Sequence, residues 1–349
     1  MSLYWVRKLK LQSKQSNKKK NLRLSAFLIC VIRVLILKSE ILKPIPKTLG
    51  RIELFDIDLR EIVPFINWTF FFSAWRLTGK YKGIEAVCSC PSCETAWLQQ
   101  QPEEKREKAA EALKLFRDAQ EMLRRFLEEK TVTINAVVSL YPAHSVGEDI
   151  AVELPPRTVL LPMLRQQHPS TDGFCYSLAD FIDTENDFIG AFACAVIGAE
   201  KTAKAFDKDG DIYHSILIKT VADRLAEAAA EWLHYQTRTQ YWGYSPDEKA
   251  DFKNIKKGNF DGIRPAVGYP SLPDQSVIFR LDELLDYKKM GIQLTENGAM
   301  FPNASVSGLY FAHPKSKYFA IGKISDEQLN DYAKRCGKSK EEMRKWIAP

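Results

Sequence analysis

No apolar run in this 349-residue chain is long enough to cross a bilayer. The N-terminal run, Ala26 to Leu37, has twelve residues with Arg33 inside it, and a spanning helix needs about 20. Lys18, Lys19, Lys20 and Arg23 precede it as in a secretory leader, yet no small-x-small cleavage site follows before Lys38. Residues 1–39 are therefore read as an extension outside the fold, and a membrane partner is not expected. Histidine is scarce: His144, His168, His214, His234 and His313 are scattered, and none stands in H-E-x-x-H. No G-x-G-x-x-G opens a helix after a strand, which removes the dinucleotide turn. Gly79-Lys80 and Gly337-Lys338-Ser339 are not P-loops, because Ala74 and Tyr332 stand where the leading glycine must be. No G-x-S-x-G elbow supports a serine nucleophile.

Cysteine is also sparse. Cys30, Cys88, Cys90, Cys93, Cys175, Cys194 and Cys336 make an odd count, unlike a disulfide framework. A reducing, cytoplasmic setting is the simpler reading. The net charge of +6 misleads, since residues 1–39 hold ten Lys/Arg and no Asp/Glu. The remainder carries 40 basic residues against 44 acidic ones, a mildly acidic body that argues against nucleic-acid binding.

What is present reads as α+β. Pro102 opens a helix to about 129, with Glu103, Glu104 and Glu107 at its positive end. Its apolar stripe is Ala109, Leu113, Phe116, Leu123 and Leu127. Thr131–Tyr141, Asp149–Leu154 and Thr158–Leu164 read as strands, and residues 188–198 as a buried strand. A second helix covers about 213–240. Ser305–Ala312 and Tyr318–Ile324 suggest a hairpin around His313–Lys317. Ser325 with Gln328, and Ser339 with Glu342, have capping-box spacing, and Gly337 suits the stop between two closing helices. The order lacks βαβ alternation, so the sheet is expected to be mainly antiparallel.

Two segments carry chemistry. Cys88-Ser-Cys-Pro-Ser-Cys93 sits in what reads as a loop, residues 85–101. Three soft ligands at this spacing could start a zinc or iron–sulfur site; the alternative is free thiols in an inserted loop. Residues 262–274 are stiffened by Pro265, Pro270 and Pro273. Arg264 offers a planar fork for a carboxylate, Gly268 a close backbone approach, and Tyr269 an aromatic body with a polar tip. That set suits a ligand with a carboxylate and a flat ring. It equally suits a structural loop whose arginine pairs with an acidic neighbour.

Arg264-Pro-Ala-Val-Gly-Tyr269 resembles the R-P-A-x-G-Y motif of the activation domain of cobalamin-dependent methionine synthase. Other segments resemble that family in order: Trp68-Thr69 with Phe71-Phe72 and Gly79-Lys80-Tyr81, Leu115–Ala119, Ala222–Ala228, Tyr241–Tyr244, Leu294–Met300 and Ser305–Pro314. The resemblance runs from about residue 43 to Pro349 and makes residues 40–349 one domain.

The resemblance implies a single C-shaped α+β unit on a twisted, mainly antiparallel sheet flanked by helices. It implies S-adenosylmethionine in a shallow groove, with cobalamin supplied by a methionine synthase chain and an electron by flavodoxin or a similar donor. The task would be reductive methylation of oxidised cobalamin, a methyltransferase component of methionine biosynthesis with no acid–base catalytic residue of its own. Arg264 would hold the methionine carboxylate, Ala266 and Gly268 would present backbone, and Tyr269 would wall the groove. Tyr310 and Phe311 would line the adenosine and sulfonium side, and Glu227 would add negative charge. Asn67 departs from the family's usual Asp and would bring no charge to the ligand's ammonium, weakening affinity by about 1–2 kcal/mol. No histidine lies in a D-x-H-x-x-G context of the kind that ligates cobalamin from below, so a free-standing subunit acting in trans is expected. The competing reading is a binding or docking module that kept the groove and lost the reactivation role.

Overall fold

The computed structural model describes residues 43–252, 258 and 260–347; residues 1–39 lie outside them. Six strands form an open antiparallel sheet: β1 (Gly50–Leu54), β2 (Thr133–Val146), β3 (Asp149–Leu154), β4 (Arg157–Pro162), β5 (Asp187–Ile197) and β8 (Ser305–Tyr310). The main path is β4-β3-β2-β5-β8. Two-residue strands β6 (Gln293–Leu294) and β7 (Met300–Phe301) pair separately. β2 runs through Pro142, beyond the expected end at Tyr141. On one side β2 pairs first with β1, as far as Leu140, and then with β3 from Ala143. Pro142 falls in the gap between those partners, where a residue with no N–H is tolerated.

Nine helices are assigned among the described residues. They are α1 (Leu59–Ile62), α2 (Trp68–Ala74), α3 (Pro91–Gln99), α4 (Arg106–Glu129), α5 (Ala199–Lys208), α6 (Ile212–Gln236), α7 (Val277–Leu285), α8 (Asp326–Cys336) and α9 (Lys340–Trp346). The acidic opening before α4 is a 3-10 turn over Glu103–Lys105. α6 ends in a π turn, Thr237–Tyr241, within the span expected to be helical. Ser325 and Ser339 cap α8 and α9 by accepting from the N–H groups of Gln328 and Glu342, and Gly337 closes α8 at φ +71°.

Strand residues alternate between two cores, as the period of two requires. Ile134, Ala136, Val138, Leu140, Phe192 and Tyr310 pack against α4 and α6. Val137, Ile189, Ala191, Leu309 and Phe311 face the other way, against α7. Among the described residues no helix is long and apolar enough to cross a membrane.

Two expectations fail. The cysteine segment is not a loop, because Cys90 caps α3 and Pro91 occupies its first turn, where a missing N–H is harmless. Tyr318–Ile324 is not a strand. The free side of β8 is already taken by residues 263–267, so no edge remains for it.

Candidate functional site

Residues 263–267 zip along β8. Ile263 and Phe311 exchange N–H···O bonds of 3.0 Å, Leu309 N–H donates to the Pro265 carbonyl at 3.0 Å, and Val267 N–H to the Ser307 carbonyl at 3.0 Å. The glycine in β8 permits this approach: a Cβ on Gly308 would lie 2.3 Å from the Pro265 oxygen. The bridges Ile263–Phe311 and Ala266–Gly308 place Arg264 opposite Tyr310, on the face that meets α6.

On α6, Glu227, Glu231 and His234 follow the i, i+4, i+7 spacing of one helix face. Arg264 donates from Nη2 to Glu231 Oε2 at 2.8 Å, and its Nη1 stands 4.0 Å from Glu227 Oε2. Glu227 Oε1 accepts from the Tyr269 hydroxyl at 3.0 Å. The Arg264 backbone N–H donates to the Tyr318 hydroxyl at 2.9 Å. Burial alone would lower the Arg264 pKa, but Glu231, Tyr318 and Glu227 more than reverse that and raise it. Burial and the Glu227 carboxylate push the Tyr269 phenol up to about 12.

Below this set lies a stacked column. His234 stacks on Tyr310 with ring centroids 4.9 Å apart, and Tyr310 stacks on Phe192 at 4.6 Å. His234 is fully buried, neither ring nitrogen has a hydrogen-bond partner among the described residues, and desolvation, with Arg238 and Arg264 nearby, holds its pKa well below 6.5.

The acidic-neighbour pairing of Arg264 is therefore real, through Glu231 first and Glu227 second. Among the described residues Glu231 Oε1 is buried without a hydrogen-bond partner, an acceptor left over on the helix that faces Arg264. The structure also places the other residues expected at the groove. Phe311 alternates onto the opposite sheet face, fully buried near Phe181, so its side chain cannot line a groove on the Tyr310 side. Tyr310 lies on the same face as Arg264, with Phe192 and His234 stacked against its ring. Ala266 is buried and its carbonyl accepts from Tyr269 N–H. Gly268, at φ +86°, gives its close approach to the Gln275 amide: a Cβ there would lie 2.1 Å from Gln275 Nε2. Asn67 caps α2 by accepting from Thr69 N–H at 3.1 Å, and no hydrogen bond ties it to Arg264, Glu227 or Tyr269.

Two members of the set were not singled out in the sequence. Glu231 was legible as the residue one turn beyond Glu227. Tyr318 had no local signal, since it arrives from a segment read as a strand. Elsewhere, a concavity lined by Phe181, Trp242 and His313 and another lined by Leu98, Lys114 and Arg117 do not include Arg264. Arg264 and Glu231 are mostly buried, with Glu227 partly exposed and Tyr269 about half exposed beside them.

The cysteine segment does bring its three thiols together. The Sγ atoms of Cys88, Cys90 and Cys93 lie within 4.8 Å of one another. Hydrogen bonds from Cys93, Ser92 and Cys88 pull the Cys90 thiol down to about 6.

The family model described as "Vitamin B12 dependent methionine synthase, activation domain" matches residues 58–337. The chain belongs to that family. A crystal structure of the MetH reactivation domain bound to AdoHcy is 38% identical, with a TM-score of 0.79, over 88% of this chain and 92% of that one. The matched span holds the whole Arg264 set, from Glu227 on α6 to Tyr318, and the cysteine cluster as well. Membership in the activation-domain family implies a methyltransferase-related role and an interaction with a cobalamin-binding domain.

Proposed function

We propose that this chain binds S-adenosylmethionine over Arg264, Glu227 and Tyr269 and serves the reductive remethylation of cobalamin held by a partner methionine synthase chain. The observation that carries the reading is the convergence of Arg264 with Glu231 and Glu227 beneath the half-exposed Tyr269. A zwitterionic amino-acid end needs both signs at one place. Arg264 would take the carboxylate in a charge-assisted fork, since Nη1 makes no hydrogen bond to Glu227 at 4.0 Å. The carboxylates of Glu227 and Glu231 would then face the ammonium. Asn67, if it reaches the same end, contributes one neutral acceptor.

Cobalamin held by the partner would supply the nucleophile for the methyl group, and the spent donor would leave as S-adenosylhomocysteine. This chain's residues then need only hold and aim the donor, so its contribution is orientation rather than proton transfer. The reductant would be flavodoxin or a comparable one-electron donor, the setting the cytoplasm, and the pathway methionine synthesis. The 38% identical reactivation domain, solved with AdoHcy, supports the choice of ligand.

Calorimetric titration of S-adenosylmethionine into the wild type and Arg264→Ala tests the groove. Adding a cobalamin-loaded methionine synthase module and a reductant, then following the cobalt spectrum, tests reactivation. Saturable binding without any return of methylcobalamin would leave a non-catalytic binding module as the better description.

A further inference from the structure

Cys88 and Cys93 are exposed and Cys90 is half-buried, and the remethylation reading makes no use of them. We propose that these three residues form a soft-metal site that binds one zinc ion, with water as the fourth ligand.

The geometry is close to what the ion requires. The three sulfurs lie within 4.8 Å of one another, and Cys88 and Cys90 are 3.1 Å apart. Tetrahedral zinc with Zn–S bonds of about 2.3 Å needs sulfurs roughly 3.8 Å apart. Small side-chain rotations close the difference. Cys93 N–H already donates to Cys90 Sγ at 3.3 Å, so the knuckle at the start of α3 is formed before any metal arrives.

The scaffold holds this arrangement from two sides. Arg117 on α4 pairs with Glu94 of α3 and donates to the Cys88 carbonyl at 3.2 Å. Trp97 is buried and its indole N–H donates to the Lys82 carbonyl at 2.9 Å. The strand of chain before the cluster and the helix after it are thus both tied to the domain body, which lowers the ordering cost of binding. Among the described residues no fourth His, Cys, Asp or Glu joins the group. Glu94 is committed to Arg117, and the exposure of Cys88 and Cys93 leaves the fourth position to solvent.

The chemistry balances without a redox partner. Up to three S–H bonds break, their protons pass to water, and three Zn–S bonds form. A disulfide would occupy only two of the three thiols and would need an oxidant.

The test uses the full chain, reduced and stripped with a chelator, then titrated with zinc alone and with cobalt(II) as a spectroscopic stand-in. One equivalent of zinc should be retained after dialysis, and cobalt(II) should show thiolate charge-transfer absorption. Cys90→Ser and Cys93→Ser should each weaken zinc binding at least about a hundredfold, while Cys336→Ser should not. Zinc should also protect all three thiols of the wild type from alkylation, a readout that stands even if a variant fails to fold. The proposal is overturned if zinc leaves their alkylation rates unchanged. It is equally overturned if one equivalent still binds the folded triple serine variant, or if the reduced chain takes up no zinc and simply forms a disulfide among them.

Discussion

Arg264 and Glu231 meet at 2.8 Å across the junction of a proline-stiffened segment and a long helix, and among the described residues the second oxygen of Glu231 has no hydrogen-bond partner. The pair is mostly buried, so each residue is a liability without the other. Arg264→Ala should therefore weaken S-adenosylmethionine binding tenfold to a hundredfold, from lost charged hydrogen bonds of about 1.5–3 kcal/mol, and also lower the melting temperature. Arg264→Met with Glu231→Gln should recover much of the stability without recovering affinity. Calorimetry and thermal melts on the same samples separate the two effects.

Gly308 tests how the site is built. Its Cβ would lie 2.3 Å from the Pro265 oxygen and 2.7 Å from Ala266 Cα, both backbone atoms that cannot swing aside. Gly308→Ala should push residues 263–267 off β8, costing about 1–3 kcal/mol by overpacking. Ligand affinity should fall with it, although no ligand-facing side chain is touched. Unchanged urea unfolding would show that the segment can shift freely.

Asn67 currently caps α2, a role that Asp fills equally well. Asn67→Asp should leave the melting temperature within a degree or so and raise S-adenosylmethionine affinity about tenfold, the gain expected from a charged over a neutral hydrogen bond. A titration showing no gain would confine this residue to helix capping.

His234 makes stability depend on acid. Its pKa lies well below 6.5 in the folded chain because burial opposes the charged ring, with Arg238 and Arg264 adding to the penalty. Well above pH 7 the ring is neutral in both states and contributes nothing to the pH slope. As pH falls below about 6.5, the unfolded chain gains a proton that the folded chain refuses, and stability drops. Urea midpoints measured at pH 7, 6 and 5 should decline, and His234→Phe should flatten that decline while keeping the stack on Tyr310.

Local pattern carried much of the architecture. The stripe of α4, the serine caps at 325 and 339, and β3 and β5 follow from spacing alone, because periodicity and capping act within a turn or two of chain. The motif around Arg264 was equally legible, and Glu227 on the second helix came with the family resemblance. What the sequence alone could not determine was direction and partnership. Which face Phe311 takes depends on the register of β8 against β5, and which segment closes the β8 edge depends on residues some 45 positions earlier in the chain. Tyr310 is sealed between Phe192 and His234, and Gly268 is filled by Gln275, only because distant elements pack there. The residue types were fixed by local chemistry, but their exposure was set by long-range contacts that no short window of sequence contains.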